Sequence, residues 1–184
     1  MIPIKDNMPT DRPPVITLGL IVAILVVYLA AGHAGAWGSA SIVQAIVDMW
    51  FLWLFGNSVE DSMGPARFLA FCTLGGLLAL GVQALTGTHD PVVAGGAISA
   101  VVGGSIVLYP RGKVLSVSVI PLLFTVVEVP SPILAALWLA VQVVFAIVGW
   151  TAYVPFIAGF LFGMVAVRPL ATRRKPTPPT QAAY

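Results

Sequence analysis

Long apolar runs separated by short polar stretches dominate the chain. A helix needs about 20 residues to cross a bilayer, and six runs approach or reach that length. They cover residues 15–33, 40–56, 67–86, 92–109, 131–149 and 152–170. Several are short and rich in glycine, which indicates helices that pack closely against one another. The pattern predicts an all-α membrane protein, a bundle of six transmembrane helices.

One further apolar stretch, residues 114–130, does not fit a spanning helix. It contains Pro121, Glu128 and Pro130, which interrupt a helix of this kind. A seventh span would also place the basic residues near the carboxyl end on the opposite side of the membrane from the others. We therefore predict an interfacial or re-entrant segment, which is tolerated where protein rather than lipid covers the backbone.

The positive charges follow the six-span topology. The nine lysine and arginine residues are Lys5, Arg12, Arg67, Arg111, Lys113, Arg168, Arg173, Arg174 and Lys175. With the amino terminus in the cytoplasm, all nine fall on the cytoplasmic side. The opposite loops, around residues 34–39, 87–91 and 150–151, contain none. Because cytoplasmic loops retain positive charge, both termini are predicted to be cytoplasmic.

Composition supports a membrane location and excludes several classes of function. Of 184 residues, 59% are hydrophobic and 9% are charged, whereas soluble domains have about 25% charged residues. The single Cys72 excludes an internal disulfide and a cysteine metal cluster. We predict no cofactor and no metal. The net charge of +2 is too small, and too concentrated near span ends, for binding nucleic acid.

The chain divides into three parts. Residues 1–14 form a cytoplasmic leader of mixed charge, broken by prolines and unlike a cleaved signal peptide. Residues 15–170 form the membrane domain. Residues 171–184 are a basic, proline-rich tail of a composition typical of disorder. Its basic cluster is expected to anchor the last helix against anionic lipid head groups.

Asp48 is the only carboxylate that the pattern places deep within a span. Its insertion there costs about 2.5–3.5 kcal/mol, so it should face the protein interior, a wet cavity or a partner. Gln44, four residues earlier, shares its helix face. The pair is a candidate polar site for another transmembrane helix, or Asp48 is a proton-accessible group. Alternatively, Asp48 is protonated or hydrogen-bonded locally beside Gln44. A small transporter or channel is disfavoured, because a lone carboxylate makes a poor conduction path.

Several short motifs, in order, resemble those of one family. They are the leader residues Pro3 to Arg12, the stretch Phe51 to Gly64, Gly96-Ala-Ile-Ser99, Leu108-Tyr-Pro-Arg111 and Gly159-Phe-Leu-Phe-Gly163. Together they resemble the rhomboid intramembrane serine proteases over nearly the whole chain. The resemblance implies the six-helix rhomboid fold.

The same resemblance implies that the catalytic positions have changed. Gly95 stands where rhomboids carry the nucleophilic serine, and Phe156 where they carry the histidine base. Gln44 and Asp48 match the histidine and asparagine that assist the oxyanion hole, and an ionised Asp48 would repel an oxyanion. The loop from Gly32 to Ser39 is shorter than in active bacterial members, which also argues against substrate entry as those members arrange it. The chain is predicted to be a catalytically inactive pseudoprotease in which Gly95 and Phe156 pack together.

Other residues offer a weaker route to proteolysis. Ser99 and Ser105 follow Gly95 along the fourth span, while His33 and His89 lie near the outer surface. A pairing of His89 with Ser99 lacks a positioning motif. We interpret the serines as small residues at helix contacts. A protease that uses non-standard residues remains the alternative function.

The leading hypothesis rests on a resemblance to inactive rhomboids and derlins, which retain the fold but lack the catalytic serine–histidine dyad. It is a bacterial inner-membrane protein that binds transmembrane helices of other subunits, with lipid around it. It would serve as an accessory or assembly subunit of a larger complex. Respiratory and photosynthetic complexes are reasonable hosts, and no residue selects between them.

Overall fold

The computed structural model describes residues 2–6, 13–30, 42–87, 93–120, 123–149 and 153–171. In these residues the chain forms six helices. They are α1 (Val15–Ala30), α2 (Ile42–Met63), α3 (Pro65–Thr86), α4 (Val93–Leu108), α5 (Ser131–Ile147) and α6 (Val154–Leu170). Each helix coincides with one apolar run of the sequence, so the prediction of six helices is confirmed. The largest difference is in α2, which continues beyond the predicted end of its span to Met63.

The structure also contains a small antiparallel sheet, which the all-α prediction omitted. Its strands are β1 (Ile2–Asp6), β2 (Lys113–Ile120) and β3 (Leu123–Pro130), in the order β1-β2-β3. Ile2 pairs with Val117, and Ser118 pairs with Thr125. The stretch predicted as interfacial or re-entrant is therefore a hairpin. Its β-branched residues favour strands, and the hairpin agrees with our exclusion of a seventh spanning helix.

Helix α4 lies at the centre of the bundle and contacts α2, α3, α5 and α6. Its approach to α6 depends on glycine. A Cβ added to Gly163 would collide with the carbonyl group of Ala100, and one added to Gly159 would collide with that of Gly96. The two backbones are therefore in direct contact. This confirms that small residues provide the tight helix packing that the glycine content predicted.

Four hydrogen bonds between different parts of the chain define one end of the bundle, here called the leader end. They join Glu60 to the start of α1, Tyr109 to Ser58, Arg67 to Leu170, and Ser131 to Tyr109. The leader end thus collects the starts of α1, α3 and α5, the ends of α2, α4 and α6, and the sheet. We call the opposite end, where α2, α4 and α6 begin, the site end.

The described helices differ in their ability to cross a membrane. Among them, Pro65–Thr86 has both the length and the hydropathy required. The apolar segments Val15–Val26, Gly95–Leu108, Ser131–Ile147 and Val154–Leu170 are shorter. Large apolar side chains such as Leu77, Val144 and Val165 are exposed on the outside of the bundle, as lipid-facing residues would be. Crossing by all six helices stays a prediction.

Candidate functional site at the site end of the bundle

Gly95 and Phe156 lie face to face between α4 and α6. Each is the third residue of its helix, and Phe156 is 8% exposed. A Cβ added to Gly95 would collide with the Cε1 and Cζ atoms of the Phe156 ring and lie 2.9 Å from Cδ1. The ring therefore occupies the space that any side chain at residue 95 would need. The expectation that this small residue and this large one pack together is confirmed.

Further apolar contacts close the same region. A Cβ added to Gly96 would collide with the Cβ of Ala79 on α3. Ala79 and Phe156 form a small buried cluster of their own, separate from the main core. Gly159, one turn after Phe156, touches the Gly96 backbone. Consecutive glycines on α4 thus bring α3 and α6 close to it from two sides.

Asp48 projects from α2 into the protein interior, as expected for a carboxylate predicted to lie within a span. It is 1% exposed. The charge of its carboxyl group acts electrostatically on the Tyr153 hydroxyl. Gln44 belongs to α2, one turn before Asp48, and its side chain lies outside the described residues. The structure therefore tests the burial of Asp48 but not the predicted Gln44–Asp48 pair.

Tyr153 joins the polar and apolar parts of the site, and the sequence analysis missed it. Its ring stacks on Phe145 of α5 with 5.1 Å between centroids, and it contacts Phe156 in a tilted arrangement with 5.7 Å between centroids. The ring that covers Gly95 thus contacts the residue on which Asp48 acts electrostatically. The spacing of Tyr153 and Phe156, three residues apart, is the available sequence signal, since residues so spaced share a helix face.

The serines of α4 are buried in the helix bundle. The Ser105 hydroxyl donates a 2.7 Å hydrogen bond to the Val102 carbonyl oxygen of its own helix. Ser99 is 0% exposed, and its Oγ has no hydrogen-bond partner. His33 and His89 lie outside the described residues, so the pairing of His89 with Ser99 stays untested. Among the described residues, no group of three His, Cys, Asp or Glu side chains is placed to hold a metal ion.

Helix α5 joins the bundle through a narrow buried stripe that ends near the site. The stripe consists of Ser131, Ala135, Trp138 and Gln142. Trp138 packs against Phe51 of α2 in a tilted arrangement, with 4.3 Å between ring centroids. The Trp138 Nε1 and Gln142 Oε1 atoms are buried without hydrogen-bond partners. Burial of two polar atoms without hydrogen-bond partners costs free energy. The part of the α5 contact that contains Trp138 and Gln142 is therefore weaker than a purely apolar contact.

A second polar arrangement, at the leader end, was also missed. The Glu60 carboxylate accepts hydrogen bonds from the Ile16 N–H at 2.9 Å, the Thr17 N–H at 2.8 Å and the Thr17 hydroxyl at 2.7 Å. It thus caps the positive end of α1. The signal was the start of α1 itself, where Pro14 precedes Val15 and provides no side-chain cap, so the first N–H groups need an acceptor from elsewhere.

A cavity of about 310 Å³ lies beside this cap. Its lining residues are Pro13, Pro14, Val15, Asn57, Glu60, Asp61 and Pro65. The Oδ1 atoms of Asn57 and Asp61 are buried without hydrogen-bond partners. This cavity lies at the leader end, far along α2 from Asp48, and is separate from the Gly95–Phe156 contact.

A family model of the rhomboid domain matches residues 36–173, well over half of the sequence. The chain belongs to the rhomboid family. The matched range contains helices α2 to α6 and all four positions at which the catalytic machinery of rhomboids is expected. Comparison with curated proteins and with solved structures found no match. Rhomboid-family proteins are membrane proteins, which accounts for the apolar exterior of the bundle.

Proposed function

We propose that this rhomboid-family protein does not cleave peptide bonds and instead binds transmembrane helices of other proteins. In this role it is an accessory or assembly subunit of a larger membrane complex. The observation that carries the proposal is the contact between Phe156 and Gly95. It concerns the two positions on which rhomboid chemistry depends.

Hydrolysis through a serine–histidine dyad needs an attacking oxygen and a base that accepts its proton. Gly95 has no side-chain oxygen, and the Phe156 ring has no basic atom. The ring also fills the volume beside Gly95, so a substrate carbonyl has no room there. Loss of the reacting atoms and loss of the space both support an inactive protein.

Asp48 supports a binding role. A buried carboxylate is costly within a membrane, and such groups face the protein interior and pair with other polar groups. Polar side chains also hold transmembrane helices together, so a partner helix packed over this region would add to the interactions that Asp48 already makes inside the bundle. The same carboxylate, when ionised, would oppose the negative charge that develops on a substrate oxygen during proteolysis.

The proposed setting is the bacterial cytoplasmic membrane, with six spans and both termini in the cytoplasm. In support, the leader end holds the described cations Arg67, Arg111 and Arg168, all of them exposed. Cations gathered at one end of a helix bundle are typical of the cytoplasmic side. Complexes of the respiratory or photosynthetic type are the hosts that we consider first.

An activity-based probe tests the loss of catalysis. The purified protein in mild detergent is incubated with a fluorophosphonate probe, beside an active rhomboid as the positive control. We expect labelling of the control only. Labelling of this protein that disappears in the Ser99→Ala variant would overturn the proposal, because Ser99 would then be a working nucleophile.

Co-purification tests the binding role. The protein is isolated from its native membrane in mild detergent, and its companions are identified and quantified by mass spectrometry. We expect a stoichiometric membrane partner, and we expect Asp48→Asn to weaken its retention. Asp61→Asn, at the far end of the same helix, is the matched control. A lone monomer, or full retention of the partner by Asp48→Asn, would contradict the role assigned here.

A further inference from the structure

The cavity beside Glu60 is large enough for a small organic group. Its volume of about 310 Å³ is at the lower limit of the range of about 300–1,000 Å³ that is usual for ligand pockets. Glu60, which is 4% exposed, is the most deeply buried of the lining residues. Pro13, Val15 and Pro65 are exposed, so the rim of the cavity lies at the surface. A ligand can therefore enter it from outside the bundle.

The lining offers hydrogen-bond acceptors and few donors. Its three prolines have no N–H group, and the Val15 N–H already donates to the Pro13 carbonyl oxygen at 2.9 Å. The ionised carboxylates of Glu60 and Asp61 only accept hydrogen bonds. Among the lining side chains, the Asn57 amide alone can donate. A ligand that suits this lining must itself be a hydrogen-bond donor.

Two oxygen atoms of the lining residues have no hydrogen-bond partner within the described part of the chain. They are Asn57 Oδ1 and Asp61 Oδ1, and both are buried. The two residues are four positions apart on α2, so their side chains share a helix face. Burial of a polar atom without a partner is unfavourable. A donor bound between the two side chains would remove that penalty at both positions.

The charge of the cavity favours a cation with an organic part. The Glu60 carboxylate is balanced by three hydrogen bonds from the start of α1, whereas Asp61 Oδ1 receives none. A bare metal ion is a poor fit, because no three His, Cys, Asp or Glu side chains of residues that the structure describes are placed to hold one. The apolar prolines instead suit carbon atoms, and the acceptors suit the N–H groups of an ammonium.

The position of the cavity indicates where such a cation would come from. The lining residues belong to the start of α1, the end of α2 and the start of α3. In a protein whose helices span the bilayer, helix ends lie at the level of the head groups. Arg67, in the first turn of α3, is exposed two residues after Pro65. An ethanolamine head group carries its ammonium close to a phosphate, and arginine is a preferred partner of phosphate.

We propose that this cavity binds the primary ammonium group of an ethanolamine phospholipid. The ammonium donates hydrogen bonds to Asp61 and Asn57, the prolines cover the adjacent carbon atoms, and the phosphate lies outside the cavity toward Arg67. The lipid thereby joins the starts of α1 and α3 at the leader end. A choline head group would not replace it, because its quaternary nitrogen has no N–H group to donate. The inference does not depend on whether the protein cleaves peptides or binds a partner subunit.

Short-chain phospholipids test the site in detergent. The purified protein is titrated with dihexanoyl phosphatidylethanolamine, with its choline counterpart, or with glycerophosphoethanolamine, which has the same head group without acyl chains. The melting temperature is recorded, because a ligand that binds only the folded protein raises it. The same titrations are made on Asp61→Asn and on Glu128→Gln, which removes a carboxylate from the leader end outside the cavity.

We expect the ethanolamine lipid to raise the melting temperature of the wild type and of Glu128→Gln clearly more than the choline lipid does. In Asp61→Asn that difference should disappear. Equal shifts from the two lipids in the wild type, or an unchanged difference in Asp61→Asn, would overturn the proposal. An equal shift from glycerophosphoethanolamine would overturn the assignment to a lipid, since a soluble amine would then fill the cavity. If Asp61→Asn fails to fold, Asn57→Leu makes the same comparison.

Discussion

The ring of Phe156 on α6 covers the backbone of Gly95 on α4 so closely that residue 95 has room only for hydrogen. The two residues are therefore coupled, because the size of the side chain at residue 156 determines which side chain fits at residue 95. A serine at residue 95 would require the Phe156 ring to move or the phenylalanine to change as well. This dependence can be measured.

Gly95→Ser is expected to destabilise the protein without restoring proteolysis. Overpacking of a well-packed interior costs about 1–3 kcal/mol. Phe156→Ala removes a buried ring and costs about 3–5 kcal/mol by itself. In the double variant, the serine enters space that the ring has left, so the cost falls below the sum of the two single changes by about 0.5–3 kcal/mol. Thermal unfolding in detergent measures all three variants.

Gly81→Ser on α3 provides the control for this comparison. Nothing lies within 4 Å of a Cβ at Gly81, so the serine there should combine additively with Phe156→Ala. If Gly95→Ser were also additive with Phe156→Ala, the contact between the two residues would not limit the site.

Gly163→Ala should weaken the α4–α6 interface. The added methyl group would meet the carbonyl of Ala100, and backbone cannot move aside as a flexible side chain can. We expect a loss of about 1–3 kcal/mol, the usual range for overpacking. Gly81→Ala should have the opposite sign, because alanine favours a helix by about 1 kcal/mol over glycine where space is open. Equal melting temperatures for the two variants would show that α4 and α6 do not meet as described.

Glu60→Ala should be among the more damaging single changes at the leader end. It leaves the N–H groups of Ile16 and Thr17 without their acceptor, and each buried group left unpaired costs about 1–3 kcal/mol. Glu60→Gln keeps one carbonyl oxygen and should lie between the wild type and Glu60→Ala. Hydrogen exchange of the first turn of α1 provides the local measurement. Asp61→Ala, the neighbouring residue, should leave that turn protected; equal deprotection by both changes would contradict a specific cap.

Tyr153→Phe and Tyr153→Ala separate the hydroxyl from the ring. The phenylalanine keeps both ring contacts and loses only the hydroxyl group, on which Asp48 acts electrostatically. The alanine also loses the contacts with Phe145 and Phe156, and aromatic pairs contribute about 0.5–1.5 kcal/mol each. We therefore expect a much larger fall in melting temperature for Tyr153→Ala. A large loss in Tyr153→Phe alone would mean that the hydroxyl, rather than stacking, holds the site together.

The helices were predictable from the sequence because each is a long apolar run bounded by polar residues, glycine or proline. The hairpin was not, although its signal was present. Ser116-Val-Ser-Val119 alternates small polar and β-branched residues in the period of a strand. Apolar content and the interrupting prolines led instead to the prediction of an interfacial or re-entrant segment. Its pairing with β1 could not be inferred, since nothing local to residues 2–6 specifies a distant strand.

The candidate site was likewise predictable from the sequence only in part. Burial of Asp48 followed from the cost of a carboxylate in a membrane, and contact between Gly95 and Phe156 followed from the family resemblance. The electrostatic effect of Asp48 on Tyr153 depends on how the whole bundle places α2 and the start of α6. Glu60 was overlooked because it lies beyond the predicted end of its span, where a charged residue is ordinary and indicates no particular role. It accepts hydrogen bonds from backbone N–H groups at the start of α1. The pattern of side chains along a sequence does not reveal such a pairing.

Pairing of β1 with β2 sets an order of events during biosynthesis. Ile2 meets Val117, so the first strand has no partner until α1 to α4 have been synthesised and the ribosome has passed β2. Closing so long a loop is slow relative to local helix formation. Throughout that interval β1 has no strand to pair with. The sheet is thus completed only after the first four helices have been made.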